Sequence, residues 1–275
     1  HLSTMNPSPS SAIPLSLLSL LSLLCLLTVL CPISSAQDSS DWLRKYAAHE
    51  SKQGGFNYCV RPPDKVEPVK TYPLVLLLHG AGGRGDDNRG QLVDAGGAAA
   101  LDKMGVSGKY GAYVMAGQVP PGEQWVDVPW SSLDHKMPKI SKSMRAMLEA
   151  LDAFIADKKN QVDPQRIYII GLSMGGYGTW DAIQRRPELF AAAVPICGGG
   201  DKRLAKKIAE IPVWAWHGDQ DGVIKPSRSQ DMVAALKSAG AKPKYTEVNG
   251  RGHNVWTDAF NSAEMWQWLF EQRRD

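Results

Sequence analysis

Two kinds of apolar pattern alternate along this chain. Short solid runs, such as Leu74-Val75-Leu76-Leu77-Leu78 and the β-branched and aromatic run at residues 166–170, suit strands buried on both faces. Between such runs lie longer stretches with apolar residues three and four apart. Residues 140–158 carry Ile140, Met144, Met147, Leu148, Leu151, Phe154 and Ile155, the spacing of a helix with one buried face. The pattern predicts strands at residues 56–61, 74–78, 113–116, 166–170, 191–196, 213–216 and 244–248. It predicts helices at residues 41–52, 91–104, 140–158, 177–186, 201–210, 227–239 and 258–272. Asp163-Pro164 is expected to turn the chain into the fourth strand, and Pro187 to stop the helix before it. Strands alternating with helices imply an α/β fold, a mostly parallel central sheet with helices on both faces.

The first residues follow neither pattern. Residues 1–36 contain no Lys, Arg, Asp or Glu, and residues 15–30 are nearly all leucine, broken by Ser16, Ser19, Ser22 and Thr28. Ser34-Ser35-Ala36 then offers small residues for a cut after Ala36. This reads as a secretory signal peptide, although its n-region lacks a positive charge. The apolar run is short and serine-broken against the roughly 20 residues a span needs. The expectation is therefore a secreted or periplasmic protein with no stable membrane association after cleavage. Residues 37–275 are expected to form a single domain.

Composition narrows the chemistry. The net charge is +3 and the basic residues are scattered, which gives no nucleic-acid footprint. Of the four cysteines, Cys59 and Cys197 lie beyond the leader, in apolar runs where buried free thiols are at least as expected as a disulfide. No metal-ligand spacing occurs, so neither a metal nor any other cofactor is anticipated.

In a parallel sheet, sites form at the carboxyl ends of strands. Five loops stand out there. Gly171-Leu172-Ser173-Met174-Gly175 is a G-x-S-x-G elbow, in which a nucleophilic serine is lifted clear on a turn too sharp for flanking Cβ atoms. His79-Gly80-Ala81-Gly82 follows a central strand and fits an oxyanion loop, with the N–H of Ala81 or Gly82 facing the reacting carbonyl. It lacks the Gly-Lys-Ser/Thr of a phosphate-binding loop. His217-Gly218-Asp219-Gln220-Asp221 ends another strand, and the H-G-x-x-D spacing favours Asp221 over Asp219 as the acid. His253, glycine-flanked after the last strand, is best placed of the six histidines to be the base. His79 and His217 read instead as turn residues. The long loop at 117–138 holds Gln118, Trp125, Trp130 and His135, and loops of that length are usually functional. Gln118, Trp125, Trp130 and Trp256, which lies beside His253, are the candidate substrate-binding residues.

These motifs carry a resemblance. LVLLLHGAGGRGDDN, VDPQRIYIIGLSMGGYGTW, VPICGGGD, VWAWHGDQDGVIKPSRSQDMVAALKSAGA and GRGHNVWTDAF resemble the α/β-hydrolase esterases of the polyhydroxybutyrate depolymerase and feruloyl-esterase type. The chain looks closest to the carboxylesterase-like group often labelled "predicted peptidases". The resemblance implies an α/β-hydrolase fold with Ser173 as nucleophile, Asp221 as acid and His253 as base. It also implies oxyanion donors at Met174 and at Ala81. A serine carboxylic-ester hydrolase acting on small, aryl or carbohydrate-linked esters is the expectation, whether small molecules or polymer-linked. A peptidase or acyltransferase would use the same triad, and a non-catalytic binding protein on this fold is the alternative from another class.

Overall fold

In the computed structural model, which describes residues 41–51 and 55–275, the solid apolar runs pair side by side. The strands are β1 (Ala47–Glu50), β2 (Asn57–Arg61), β3 (Tyr72–Leu78), β4 (Tyr113–Gly117), β5 (Val162–Leu172), β6 (Ala192–Ile196), β7 (Trp214–Gly218) and β8 (Lys244–Val248). They form an eight-stranded sheet in the order β1-β2-β4-β3-β5-β6-β7-β8. The β1–β2 and β2–β4 pairs are antiparallel and all the others are parallel. At the centre, Leu76 pairs with Met115 on one side and with Ile169 on the other.

All seven residues of β3 are buried, and the pleat divides them. Leu74, Leu76 and Leu78 join one core; Val75 and Leu77 join the other. The first core is covered by α3 (Lys142–Ala156), α4 (Met174–Arg185) and α5 (Ser227–Ser238), through residues such as Met147, Trp180 and Leu236. The second lies under α2 (Gly97–Lys103), α6 (Trp256–Phe260) and α7 (Ala263–Glu271), through Leu101, Phe260 and Trp266. A short α1 (Gly90–Val93) precedes α2. Burial of each large side chain contributes on the order of 1.5–3 kcal/mol, which is why the two-faced pattern dictates the layers. Among the described residues no helix is long and apolar enough to cross a membrane.

Four expectations change. The helix predicted at 41–52 is a 3-10 turn, Asp41–Lys45, followed by the edge strand β1. Pairing with β2 and stacking of His49 on Tyr58, at 5.1 Å between rings, override the local preference. The helix predicted at 258–272 is split into α6 and α7, because the Ser262 hydroxyl accepts from Met265 N (3.1 Å) and caps a new start. Residues 202–208 wind as a 3-10 helix capped by Asp201. Asp163-Pro164 lies inside β5, at an irregularity in its register with β3, rather than in a turn before it. The signal-peptide reading concerns residues outside the described ones. Cys59 and Cys197 are buried free thiols.

Candidate active site

The parallel strands share one direction, so the loops after β3, β5, β7 and β8 gather at one edge of the sheet. Between β5 and α4, Ser173 adopts φ +53° and ψ −116°, a backbone conformation that costs a side-chain-bearing residue on the order of 1–3 kcal/mol. The turn is held by Ser173 N donating to Ile196 O at 2.9 Å. A Cβ on Gly171 would collide with the Gly175 carbonyl oxygen, and one on Gly175 with that of Leu78. The glycines of the elbow are therefore steric requirements.

His253 lies between Ser173 and Asp221. Its Nε2 is 2.8 Å from Ser173 Oγ and its Nδ1 is 2.7 Å from Asp221 Oδ2. A carboxylate only accepts, so Nδ1 carries the hydrogen and Nε2 is free to accept from the serine hydroxyl. Asp221 Oδ1 accepts from the N–H groups of Val223 (2.8 Å) and Ile224 (2.9 Å). Burial pushes the Asp221 carboxyl up, but hydrogen bonds from His217, His253 and Ile224 outweigh it and hold the group ionised well below the usual carboxylate range. Asp219 takes no part; its N–H donates to Val248 O.

His217, expected to be a turn residue, instead reaches the site. It is fully buried, with Nε2 2.9 Å from Ile224 O and 3.2 Å from Asp221 Oδ2. Both neighbours are acceptors, so Nε2 carries a hydrogen. Nδ1 meets Ser229 Oγ at 2.8 Å. The four-residue spacing of His217 and Asp221 was visible beforehand, but a strand-to-loop bend gives no rule for which side chains meet.

Ala81 and Met174 each begin a helical turn, so their N–H groups have no partner within it. Both turns start beside Ser173's pocket, and the α4 dipole favours negative charge there. His79 anchors the first turn. Its Nδ1–H donates to Gly80 O (2.5 Å) while Nε2 accepts from Val119 N (3.0 Å). Burial drives its pKa down to about 4, with Gly80 opposing and Arg84 reinforcing the shift.

A cavity of about 250 Å³ opens on Ser173. Its walls include Ala81, Trp130, Val223, His253 and Trp256. Trp256 stands edge-on to His253, with ring centroids 5.3 Å apart. Trp125 and Gln118 do not line it, contrary to the expectation that they bind substrate. Trp125 is fully buried and donates from Nε1 to His79 O (3.1 Å), so it packs the loop down. Gln118 is buried too, accepting from Asn88 N (2.7 Å) and donating to Asp87 (2.7 Å), and so braces the loop after β3. His135 accepts from the buried Arg228 (2.5 Å), and burial, reinforced by that neighbour, lowers its pKa to about 4.

Among the described residues, Cys197, His217 and Asp221 come nearest to a metal-ligand set, with donor atoms within 4.8 Å of one another. The set fits a metal poorly. The histidine and the carboxylate are taken up by the bonds above, and burial and the Asp221 charge push the Cys197 thiol up, away from the thiolate a metal needs.

Residues 65–267 match the family model described as phospholipase/carboxylesterase. The chain belongs to this phospholipase/carboxylesterase family. It is 36% identical to a crystallised thermostable esterase, with a TM-score of 0.75 over 84% of this chain and 64% of that one. It is 23% identical to carboxylesterase SOBER1 of Arabidopsis thaliana, over 52% of this chain and 65% of the relative. It is 25% identical to the poly(3-hydroxybutyrate) depolymerase of Ralstonia pickettii, over 50% of this chain and 28% of the relative. The chain thus spans less than two thirds of each of these family relatives. The fold is that of the α/β-hydrolases, as the eight-stranded sheet and the elbow also indicate.

Proposed function

We propose that this protein is a serine carboxylic-ester hydrolase working through an acyl-enzyme. The observation that carries the reading is the unbroken relay of hydrogen bonds from Ser173 Oγ through His253 to Asp221. A serine hydroxyl needs such a base, and the base needs a carboxylate to hold its tautomer. Ser173 Oγ attacks the ester carbonyl carbon as its proton passes to His253 Nε2. The carbonyl oxygen becomes an oxyanion facing the N–H groups of Ala81 and Met174. Collapse breaks the bond to the alcohol oxygen, which takes the proton from His253. Water, deprotonated by the same imidazole, then releases the acid and restores Ser173. Stabilisation of the oxyanion by two fixed donors is worth on the order of 3–4 kcal/mol per donor in comparable sites.

The aromatic walls at Trp130 and Trp256 and the modest cavity support small or aryl esters, free or attached to a larger carrier. The uncharged leucine run before Ser34-Ser35-Ala36 supports export from the cytoplasm, to the exterior or a periplasm. The test is hydrolysis of p-nitrophenyl esters of increasing acyl length by the protein and by Ser173→Ala. The reading predicts activity highest on short chains and lowered at least a thousandfold in the variant. Cleavage of peptide substrates with none of esters would overturn it in favour of a peptidase.

A further inference from the structure

The pocket contains an ionisable group that ester hydrolysis does not use. Ser173 and His253 have roles in the reaction; the other ionisable side chain in the pocket wall is Asp94. Asp94 lies between α1 and α2, followed by Ala95 in a left-handed conformation (φ +52°). It reaches across the oxyanion loop. Oδ2 accepts from Gly80 N at 2.7 Å, one residue before Ala81. Oδ1 lies over Gly82, where a Cβ would be 2.5 Å from it. Among the described residues Oδ1 accepts no protein hydrogen bond and Asp94 enters no ion pair; Oδ1 is not a buried orphan, so this half of the carboxylate stays open to water at the pocket wall. Burial raises its pKa, with the Gly80 N–H opposing, which is the sign of a charge drawn out of water.

Resting on the esterase reading, we propose that Asp94 is a specificity residue that selects esters whose acyl group carries a protonated amine close to the scissile carbonyl. A partly desolvated carboxylate oxygen is best matched by a cationic N–H donor, since such bonds are shorter and about twice as strong as neutral ones. The acyl side follows from the reaction. His253 must reach the alcohol oxygen, whereas Asp94 is bonded to the loop that receives the carbonyl oxygen. For an ester without a donor, the same charge has only an unfavourable effect, because it stands beside a developing oxyanion.

The experiment compares two isosteric substrates, the p-nitrophenyl esters of butyrate and of 3-aminopropionate, on the full chain and on Asp94→Asn. Asparagine keeps an oxygen for Gly80 N and removes the charge. The expected result is a kcat/KM ratio of amine to butyrate well above one, falling about tenfold or more in the variant, while kcat/KM on butyrate rises. A ratio unmoved by the substitution, with butyrate still hydrolysed, overturns the inference and leaves the esterase reading intact. Equal losses on both substrates also overturn it, by reducing Asp94 to a brace for the oxyanion loop. Hydrolysis of neither ester by the unsubstituted protein overturns the inference together with the esterase reading beneath it.

Discussion

Three hydrogen bonds converge on the Asp221 carboxylate, two from backbone N–H groups and one from His253, and the His217 imidazole adds a contact at 3.2 Å. The backbone pair fixes the orientation of the carboxylate, and His253 is the partner that the proposed mechanism needs. His217 is the additional one, and its removal tests whether the acid must be held from behind. In His217→Phe, kcat should fall about tenfold, and the acidic limb of the kcat/KM profile should move to higher pH. The direction follows because a carboxylate relieved of one donor holds its protonated partner more strongly. A loss of kcat with an unmoved profile would make His217 a packing residue only.

His79 gives a second residue-scale expectation, on stability. Its native pKa is about 4 against about 6.5 when unfolded, so the unfolded chain binds more protons between those values. The contribution is fully present above pH 6.5 and is lost as pH falls through 4. It amounts to about 3 kcal/mol. Protonation would also put an N–H where Nε2 now accepts from Val119. Urea unfolding at pH 7 and pH 4 should therefore show a smaller acid loss in His79→Gln than in the unsubstituted protein. Equal losses would contradict this assignment.

At the scale of elements, the long loop after β4 is tied into the layers at both ends of its path. Ser141 caps α3 by accepting from Met144 N (3.0 Å), and donates to Trp125 O (2.8 Å). One hydroxyl thus starts a helix and fastens the loop whose Trp130 walls the pocket. Tyr177 of α4 adds a donor to Trp130 O at 3.2 Å. Ser141→Ala removes the cap and strands a buried carbonyl, which should cost about 2 kcal/mol in urea unfolding. A change within about 0.5 kcal/mol would mean that neither bond carries weight. This loop also marks where sequence patterning ran out. Trp125 and Trp130 are the same residue type five positions apart, and contacts with distant residues, the bond from Trp125 to His79 O and the Phe56 ring among them, send one to the core. Gln118 likewise is turned inward by distant partners, Asn88 and Asp87. Asp94 was missed because an aspartate between two short helices carries no local signal; its value comes from Gly80, fourteen residues away.

At the scale of the molecule, what is legible in the sequence is what neighbouring residues and the shared strand direction dictate. β3 reads as a buried strand because both its faces are apolar, and the two cores bear that out. The elbow reads as an elbow because only glycines fit at Gly171 and Gly175. Asp221, singled out by its H-G-x-x-D spacing, and His253 meet because parallel strands deliver their trailing loops to one edge. The opening helix failed because an exposed segment of weak preference takes whatever an open sheet edge offers.

The acyl-enzyme proposed at Ser173 can be trapped. The most direct measurement is peptide mass mapping after brief acid quench of the protein turning over p-nitrophenyl butyrate, beside His253→Ala and Ser173→Ala. A butyryl adduct is expected on the Ser173 peptide of the active protein, absent from Ser173→Ala and formed far more slowly in His253→Ala. Turnover of the ester with no adduct on Ser173, or with an adduct on another residue, would contradict it.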